Sequence, residues 1–312
     1  YMINREAAEG MFFHSMHDRL KGYGKFRHPE SGEDVFGKTW ARLEYGREWQ
    51  SAGGNGLHTR TNTFALQGGM DVWTGNIDGF GVLHTGFMAG LGTSRSAIDN
   101  RGADNLSARD RSTGYAAGAC ATWFMDRRRQ EGLYVDTWLQ HAWFRNTTSG
   151  TGLPRETYNS RLWSGSLEIG YASPVLRAPG SDWSLVPMVQ AVYNDFTMGD
   201  LRESTGTVIR HRDCSRFLIR SGLRLEGRPN DESRLPAEPY FEANWLHKTR
   251  ASRVALDQHT LTTDSPKNLL EIKAGLEARV LRNVRLGVGA SAQFGQHGYR
   301  RLAGQLIMSV EW

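Results

Sequence analysis

The stretch LAGQLIMSVEW, residues 302–312, ends the chain in strict alternation. Leu302, Gly304, Leu306, Met308, Val310 and Trp312 form one set, apolar and finished by an aromatic ring. Ala303, Gln305, Ile307, Ser309 and Glu311 form the other, mostly small or polar. Period two puts the sets on opposite faces of a strand, and their contrast means two different solvents. A soluble domain usually lets its terminus fray, so a strand patterned to its last residue reads as a structural stave.

The same alternation recurs upstream. In VRLGVGASAQFG (284–295), Val284, Leu286, Val288, Ala290, Ala292 and Phe294 oppose Arg285, Gly287, Gly289, Ser291 and Gln293. In LLEIKAGLEARV (269–280), Leu270, Ile272, Ala274, Leu276, Ala278 and Val280 oppose Glu271, Lys273, Gly275, Glu277 and Arg279. Carried through the chain, the pattern predicts twelve strands near 37–50, 60–74, 79–93, 113–126, 131–146, 157–173, 182–198, 214–227, 237–249, 267–280, 283–296 and 300–312. Connections after strands one, three, five, seven and nine are long, as in SRSAIDNRGADNLSARDRS (94–112) and TRASRVALDQHTLTTDS (249–265). Those after the even strands are mostly short, such as TGNID, DRRRQ and LRN; the short connection after strand eleven breaks the rule once. An even strand count with long loops at one end and short turns at the other is the anatomy of an outer-membrane barrel. A β-sandwich has no reason to alternate its loop lengths this way.

Bulk composition narrows the alternatives. Among 312 residues there are 36 Gly, 10 Trp, 10 Tyr and 13 Phe, and mean hydropathy is −0.53. No segment approaches the roughly 18 apolar residues of a membrane helix, but a membrane barrel hides its apolar residues in alternation. On the apolar phase, Trp49, Trp123, Trp143, Trp163, Tyr171, Trp183, Tyr193, Trp245 and Trp312 lie near strand ends, where membrane interfaces select amphipathic rings. The net charge of +5 suits a nucleic-acid binder only if basic residues cluster; DRRRQ at 126–130 is a short turn, so no nucleic acid is expected. Cys120 and Cys214 are too few for a disulfide framework and fall on opposite walls, so free thiols are expected. No secretory leader opens the sequence, which reads as a mature form or a piece of a longer precursor.

Residues 3–20, INREAAEGMFFHSMHDRL, read differently. Ile3, Ala7, Ala8, Met11, Phe12, Met16 and Leu20 recur at helical spacing, while Arg5, Glu6, Glu9, Asp18 and Arg19, with His14 and His17, occupy most of the remaining circumference. Eighteen helical residues would span roughly 27 Å, about the thickness of a bilayer core. Such a helix could lie on a membrane surface, but its charges suit a polar lumen, and a twelve-stranded bore is wide enough for about one helix. The expectation is an all-β, 12-stranded antiparallel transmembrane β-barrel with an N-terminal α-helix threaded through the lumen: residues 1–24 as linker and plug, 25–312 as barrel.

These residues resemble a family, the translocator β-domains of adhesin-type autotransporters (type V secretion). MFFHSMHDRL (11–20) is similar to the family's linker-helix end; GGMDVW (68–73) with HTGFMAGLGTS (84–94), and GYAAGACATWF (114–124) with GLYVDTWLQHAWF (132–144), resemble its second to fifth strands. EPYFEANWLH (238–247), NLLEIKAGLEARV (268–280) and the terminal aromatic strand resemble its end. The resemblance covers nearly the whole chain. It implies a Gram-negative outer-membrane protein that exports its own N-terminal passenger, works as a monomer, and meets outer-membrane lipids, periplasmic chaperones and the barrel-assembly machinery. Leu306, Met308, Val310 and Trp312 resemble the signal which that machinery reads. Some family members cut the passenger free at an Asn-Asn pair; no such pair stands here, and the lone Asn4 is where self-cleavage would fall.

The lumen phase collects Glu44, Asp71, Asp136, Gln140, Glu168, Arg220, Arg224, Glu242, Asn244, Glu271, Lys273, Glu277, Arg279 and Arg285. They read as a mixed-sign wall that contacts the helix and a chain in transit, or as a wall that satisfies its own charges; weak ion pairs in water allow both. Asp136 and Glu168 are the candidate acid–base pair for helix cleavage, which would need perturbed acidities. Arg47 and His141 fall on the lipid phase, with Arg47 placed near the outer interface, where a charge costs little; a slip of register by one is the alternative. HRD at 211–213 offers a His and an Asp without the third group that orients a base. GLG (90–92) and GVGAS (287–291) precede no helix, so they fail as phosphate cradles and read as small residues facing a crowded lumen. No metal-ligand spacing occurs among the histidines, and no cofactor is expected. The rival functions are an outer-membrane hydrolase using His211 and Asp213, and a simple porin. Purified material should need detergent and give a β-type circular-dichroism spectrum; detergent-free solubility or a helical spectrum would contradict the barrel.

Overall fold

The structure, a computed structural model, describes residues 1–19, 26–27, 34–35, 38–51, 57–77, 80–100, 106–126, 131–212, 215–230, 237–250, 253–257, 259–262, 265–281 and 283–311. It opens with one helix, α1 (Met2–Met11), and a 3-10 turn (Met16–Asp18). A two-stranded hairpin follows, β1 (Phe26–Arg27) and β2 (Asp34–Val35), then β3 (Lys38–Ser51), β4 (Leu57–Ile77), β5 (Gly81–Asn100), β6 (Ser107–Phe124), β7 (Gly132–Gly150), β8 (Glu156–Ala178) and β9 (Ser181–Met198). The remaining strands are β10 (Leu201–Arg202), β11 (Val208–Arg212), β12 (Ser215–Pro229), β13 (Ala237–Lys248), β14 (Arg253–Leu256), β15 (His259–Thr262), β16 (Asn268–Arg279), β17 (Val284–Gly295) and β18 (Arg300–Glu311).

Twelve of these close a barrel in the order β12-β13-β16-β17-β18-β3-β4-β5-β6-β7-β8-β9, with all neighbours antiparallel and β9 returning to β12. The seam joins the last strand to the first: Arg300 pairs with Trp49, Leu306 with Leu43 and Glu311 with Lys38. In lipid nothing else could satisfy the backbone groups of those two edges. Most expected strand positions hold to within a few residues, but β5 ends seven residues later than expected, β6 begins six earlier and β8 ends five later. Most of 94–112, expected as a loop, is therefore strand: its Gly, Ser and Asp residues hide the period. The long loops after β9 and β13 carry a second, four-stranded sheet, β10-β11-β14-β15, which buries Ile209, Val254 and Ala255. In the sequence these loops read only as long connections, because strands of two to five residues are too short to show a period.

Alternation sets the two faces. Phe87, Leu139, Phe241, Val288, Leu302 and Leu306 lie outside, each half or more exposed, while Ser94, Ser112, Asp136, Gln190 and Asn244 are buried within. So much apolar area on one continuous surface suits lipid and not water. Trp143, Trp163 and Trp245 sit outside toward the long-loop ends of their strands, and Trp73 and Tyr171 toward the short-turn ends; two girdles result. Arg47 and His141 do face outward, so the register has not slipped. Arg47 donates to Asn62 Oδ1 at 2.7 Å, and His141 lies against Trp143 and Trp163, centroids 4.4 and 4.5 Å away, which places both at the outer girdle. Trp312 and Cys214 lie outside the described residues; Cys120 is a free thiol on the inner face, its Sγ 3.7 Å from Gly86 O.

The wall is uneven. Strands β4 to β9 run 18–23 residues, whereas β3, β12, β13 and β16 to β18 run 12–15. About 9–11 residues suffice to cross a bilayer, so the long strands project well beyond it. Leu306→Arg, a charge on the lipid face of the seam, should lower stability by about 2–4 kcal/mol; a urea titration of heat-modifiable gel mobility measures it.

Candidate functional site

Residues 1–19 thread the bore. The composition of α1 favours a helix, with Gly10 the lone breaker near its end. Its buried face is Asn4, Arg5, Ala8 and Met11. Ala8, Met11 and Phe12 pack on Ala65, Ala116, Ala142, Phe144, Leu162 and Phe196 of the long-strand wall. Small inner residues make room there: a Cβ on Gly90 would come within 3.0 Å of the Phe12 ring, and one on Gly92 within 2.7 Å of Met11 Sδ. This is the crowding that GLG was read to signal. On the opposite side of α1 a gap of about 130 Å³ runs along the short-strand wall, lined by charged groups such as Glu6, Glu44, Lys273 and Arg301 and by apolar ones such as Ile3 and Leu269. It admits water and small ions; a polypeptide would need the space the helix occupies.

The helix is shorter than the 3–20 expected. It has 10 residues, about 15 Å of rise, and Ile3 and Ala7 of the supposed apolar stripe line the gap instead of the wall. From Phe12 to Ser15 the chain is unwound, because its carbonyls go to the barrel. Phe12 O accepts from Gln67 Nε2 at 3.2 Å and Gln140 Nε2 at 3.3 Å, Phe13 O from Arg42 at 2.9 Å, and His14 O from Gln190 Nε2 at 2.9 Å. The His14 ring stacks on Trp138 with centroids 4.7 Å apart. Ser15 then opens the 3-10 turn, its N–H and hydroxyl donating to Asp18 Oδ2 at 3.0 and 2.9 Å.

Charges tie the plug at both ends. Near the long-loop rim, the Tyr1 hydroxyl donates to Glu203, Asn4 donates to Tyr158 at 3.0 Å, Glu6 accepts from Ser265 at 2.7 Å, and Glu9 pairs with Arg5 and Arg216. Toward the other end, Asp18 meets Lys273 at 3.4 Å and Arg42 at 3.8 Å, and Arg19 pairs with Asp136, which also accepts from Thr122 at 2.6 Å. The His17 ring stands edge-on to Tyr134, centroids 5.7 Å apart.

The residues read as lumen-lining are all on the inner face, but only some reach the plug. Gln140, Asp136, Lys273 and Glu168, which accepts from Met16 N at 3.3 Å, touch it directly. Arg220, Arg224, Glu242, Asn244 and Glu271 form a wall network: Arg220 bridges Glu168 and Glu242 at 3.2 and 3.4 Å, Arg224 meets Glu242 at 2.9 Å, and Asn244 joins Glu242 to Glu271 at 2.6 and 2.8 Å. Glu44 holds Arg301 at 2.5 Å. Asp71, beside His84 at 3.2 Å, lies near the short-turn rim with Glu277, Arg279 and Arg285, the last two facing Glu311 at 3.7 Å each. Asp136 and Glu168 are register partners, yet they face Met16 and Arg19, while Asn4 lies a helix length away against Tyr158 and Thr148. Asp213 and the His211 side chain lie outside what is described. Sequence reading passed over Arg42, Gln67, Gln190 and Arg216, although all sit on inner phases, and over Trp40 and Trp138, whose placement among polar neighbours was a usable sign.

The site is thus a closed twelve-stranded barrel with a helix in its bore, the helix N-terminus at the long-loop side. The autotransporter β-domain model matches residues 39–291. The chain belongs to the autotransporter family. It is 31% identical over 98% of its length to the uncharacterized protein YuaQ of Escherichia coli K12, covering 23% of that protein, and 27% identical over 98% to the E. coli autotransporter adhesin AIDA-I, covering 24%. It thus spans about a quarter of these two relatives. The crystal structure of the AIDA-I transport unit from E. coli superimposes with a TM-score of 0.89 at 26% identity, covering 100% of this chain and 97% of that one. This autotransporter β-domain is a translocator domain of the Gram-negative outer membrane.

Its plug should depend on the Arg19–Asp136 pair. Asp136→Asn takes the carboxylate away from a buried guanidinium and should destabilise residues 14–19 by about 3–5 kcal/mol, whereas R19M/D136L should recover much of the loss because neighbouring sites are not additive. Hydrogen exchange of the plug amides separates the two.

Proposed function

We propose that this domain conducts an N-terminal passenger through its lumen to the cell surface and is afterwards closed by residues 1–19. The direction of the plug carries the reading. Tyr1 meets Glu203 beside the long-loop sheet and Arg19 meets Asp136 further down the bore, so polypeptide joined ahead of Tyr1 emerges on the side of the long loops. Relatives about four times as long leave room for such a passenger. The work is transport: Asp136 and Glu168, the carboxylates considered for cleavage, hold Arg19, Arg220 and the Met16 N–H, a helix length from Asn4.

The polar wall serves the plug and a chain in transit alike, through Gln140, Asp136, Glu168 and Lys273 at the contact and the Arg220–Glu242–Glu271 network behind it. Leu306, Met308 and Val310 on the outer phase of β18, with Trp312, present the motif for the barrel-assembly machinery after delivery by periplasmic chaperones. The domain acts as a monomer in outer-membrane lipid, because its bore is filled from within its own chain. Deleting residues 1–19 should raise single-channel conductance in planar bilayers by about an order of magnitude, since α1 occupies most of a bore about one helix wide. An unchanged conductance would remove the plug from the proposal.

A further inference from the structure

The barrel holds the middle of its plug by the main chain. Of the contacts to Phe12, Phe13 and His14, four run from buried barrel side chains to backbone carbonyls: Gln67 and Gln140 to Phe12, Arg42 to Phe13, Gln190 to His14. The donors come from four strands, β3, β4, β7 and β9, and therefore line one half of the ring, with β3 and β9 facing each other across the thread. Each is at most 4% exposed. Arg42 also donates to Gln67 Oε1 at 2.7 Å, which occupies the oxygen end of that amide and turns its NH₂ toward the plug. Gln190 is anchored on Ser166 Oγ at 2.9 Å. These are fixed donors aimed at one level of the bore.

Donors of this kind do not read side chains, since every residue has a carbonyl. They do read conformation. Inside a helix the carbonyls are spent on the ladder four residues on, so only the last turn of a helix, whose carbonyls are free, or an unwound segment can be held. That accounts for α1 ending at Met11 although the next residues are compatible with a helix: three barrel glutamines and an arginine compete for the carbonyls and win.

We propose that Gln67, Gln140, Gln190 and Arg42 form a collar that binds extended polypeptide of any sequence through its carbonyls, gripping the plug at rest and the passenger in transit. The transit role rests on the reading of the barrel as an export conduit. A carbonyl carried into a confined bore loses its water, and leaving it without a donor is costly; the collar supplies the donors in succession as the chain advances.

The test uses the full chain with its passenger attached, with folding checked by heat-modifiable mobility. In planar bilayers Q67L/Q140L/Q190L should open to full-bore steps at least about tenfold more often than the parent, while Q305L, which removes an inner-wall amide that meets Tyr240 instead of a plug carbonyl, should stay within about twofold. If the triple variant does not assemble, Q140L and Q190L singly should each show a rise of a few fold. A collar variant as closed as the parent, or Q305L opening as often as the collar variant, overturns the grip. In cells, the half-time for surface arrival of two passengers unrelated in sequence should lengthen at least about threefold, and by the same factor for both. No lengthening, or lengthening for one passenger alone, overturns the transit role. Failure of the parent barrel to deliver either passenger is a different result, and it overturns the export reading itself.

Discussion

The rest of the structure depends on backbone hydrogen bonding in a medium that offers none. Lipid cannot satisfy a strand edge, so β18 must find β3, and the pairing of Leu306 with Leu43 and Glu311 with Lys38 joins the last barrel strand to the first. Closure fixes the strand number, the strand number fixes the bore, and a bore of this size would stand full of water without something inside it. The plug, the mixed-sign inner wall and the outward apolar belt all follow from that first requirement.

Inside, two kinds of packing share the work. The long-strand wall uses glycine and alanine at inner positions, so that Ala8, Met11 and Phe12 approach closely and exclude solvent. The short-strand wall keeps its distance and presents carboxylates, arginines and Lys273, linked so that buried charges have partners. Inner aromatics extend the same economy of space: a Cβ on Gly170 would fall 2.4 Å from the Tyr134 ring, and one on Gly275 2.4 Å from the Tyr240 ring, over which Arg224 lies at 3.9 Å. Tyrosine laid across a neighbouring glycine covers bare backbone while its hydroxyl stays with the polar network.

The barrel was legible in the sequence because its code is local and periodic. A strand that faces lipid on one side and a wet bore on the other shows its phase in a dozen residues, as 269–280 and 302–312 do. The wall charges followed from that phase. The plug was less legible. Residues 12–19 carry helix-compatible side chains, and what unwinds them is Gln67, Gln140 and Gln190, all distant in sequence and unremarkable within their own strands. Arg42 and Arg216 lay on the correct phase but had no local sign of their partners, since Asp18 and Glu9 reach them only once the thread is inside. Strands β10, β11, β14 and β15 pair across loops far apart in the chain, and no window of a few residues can encode such a meeting.

The unequal strand lengths give the barrel a long flank and a short one. At about 3.3 Å per residue, the long flank has roughly 20 Å more strand than the short one. The short flank is not left bare, because the loops that bound it, after β9 and β13, carry the second sheet. A thread lying in the bore is thus fenced by continuous staves on one flank and by a grafted palisade of short strands on the other, and only the first of these fences is held upright by lipid.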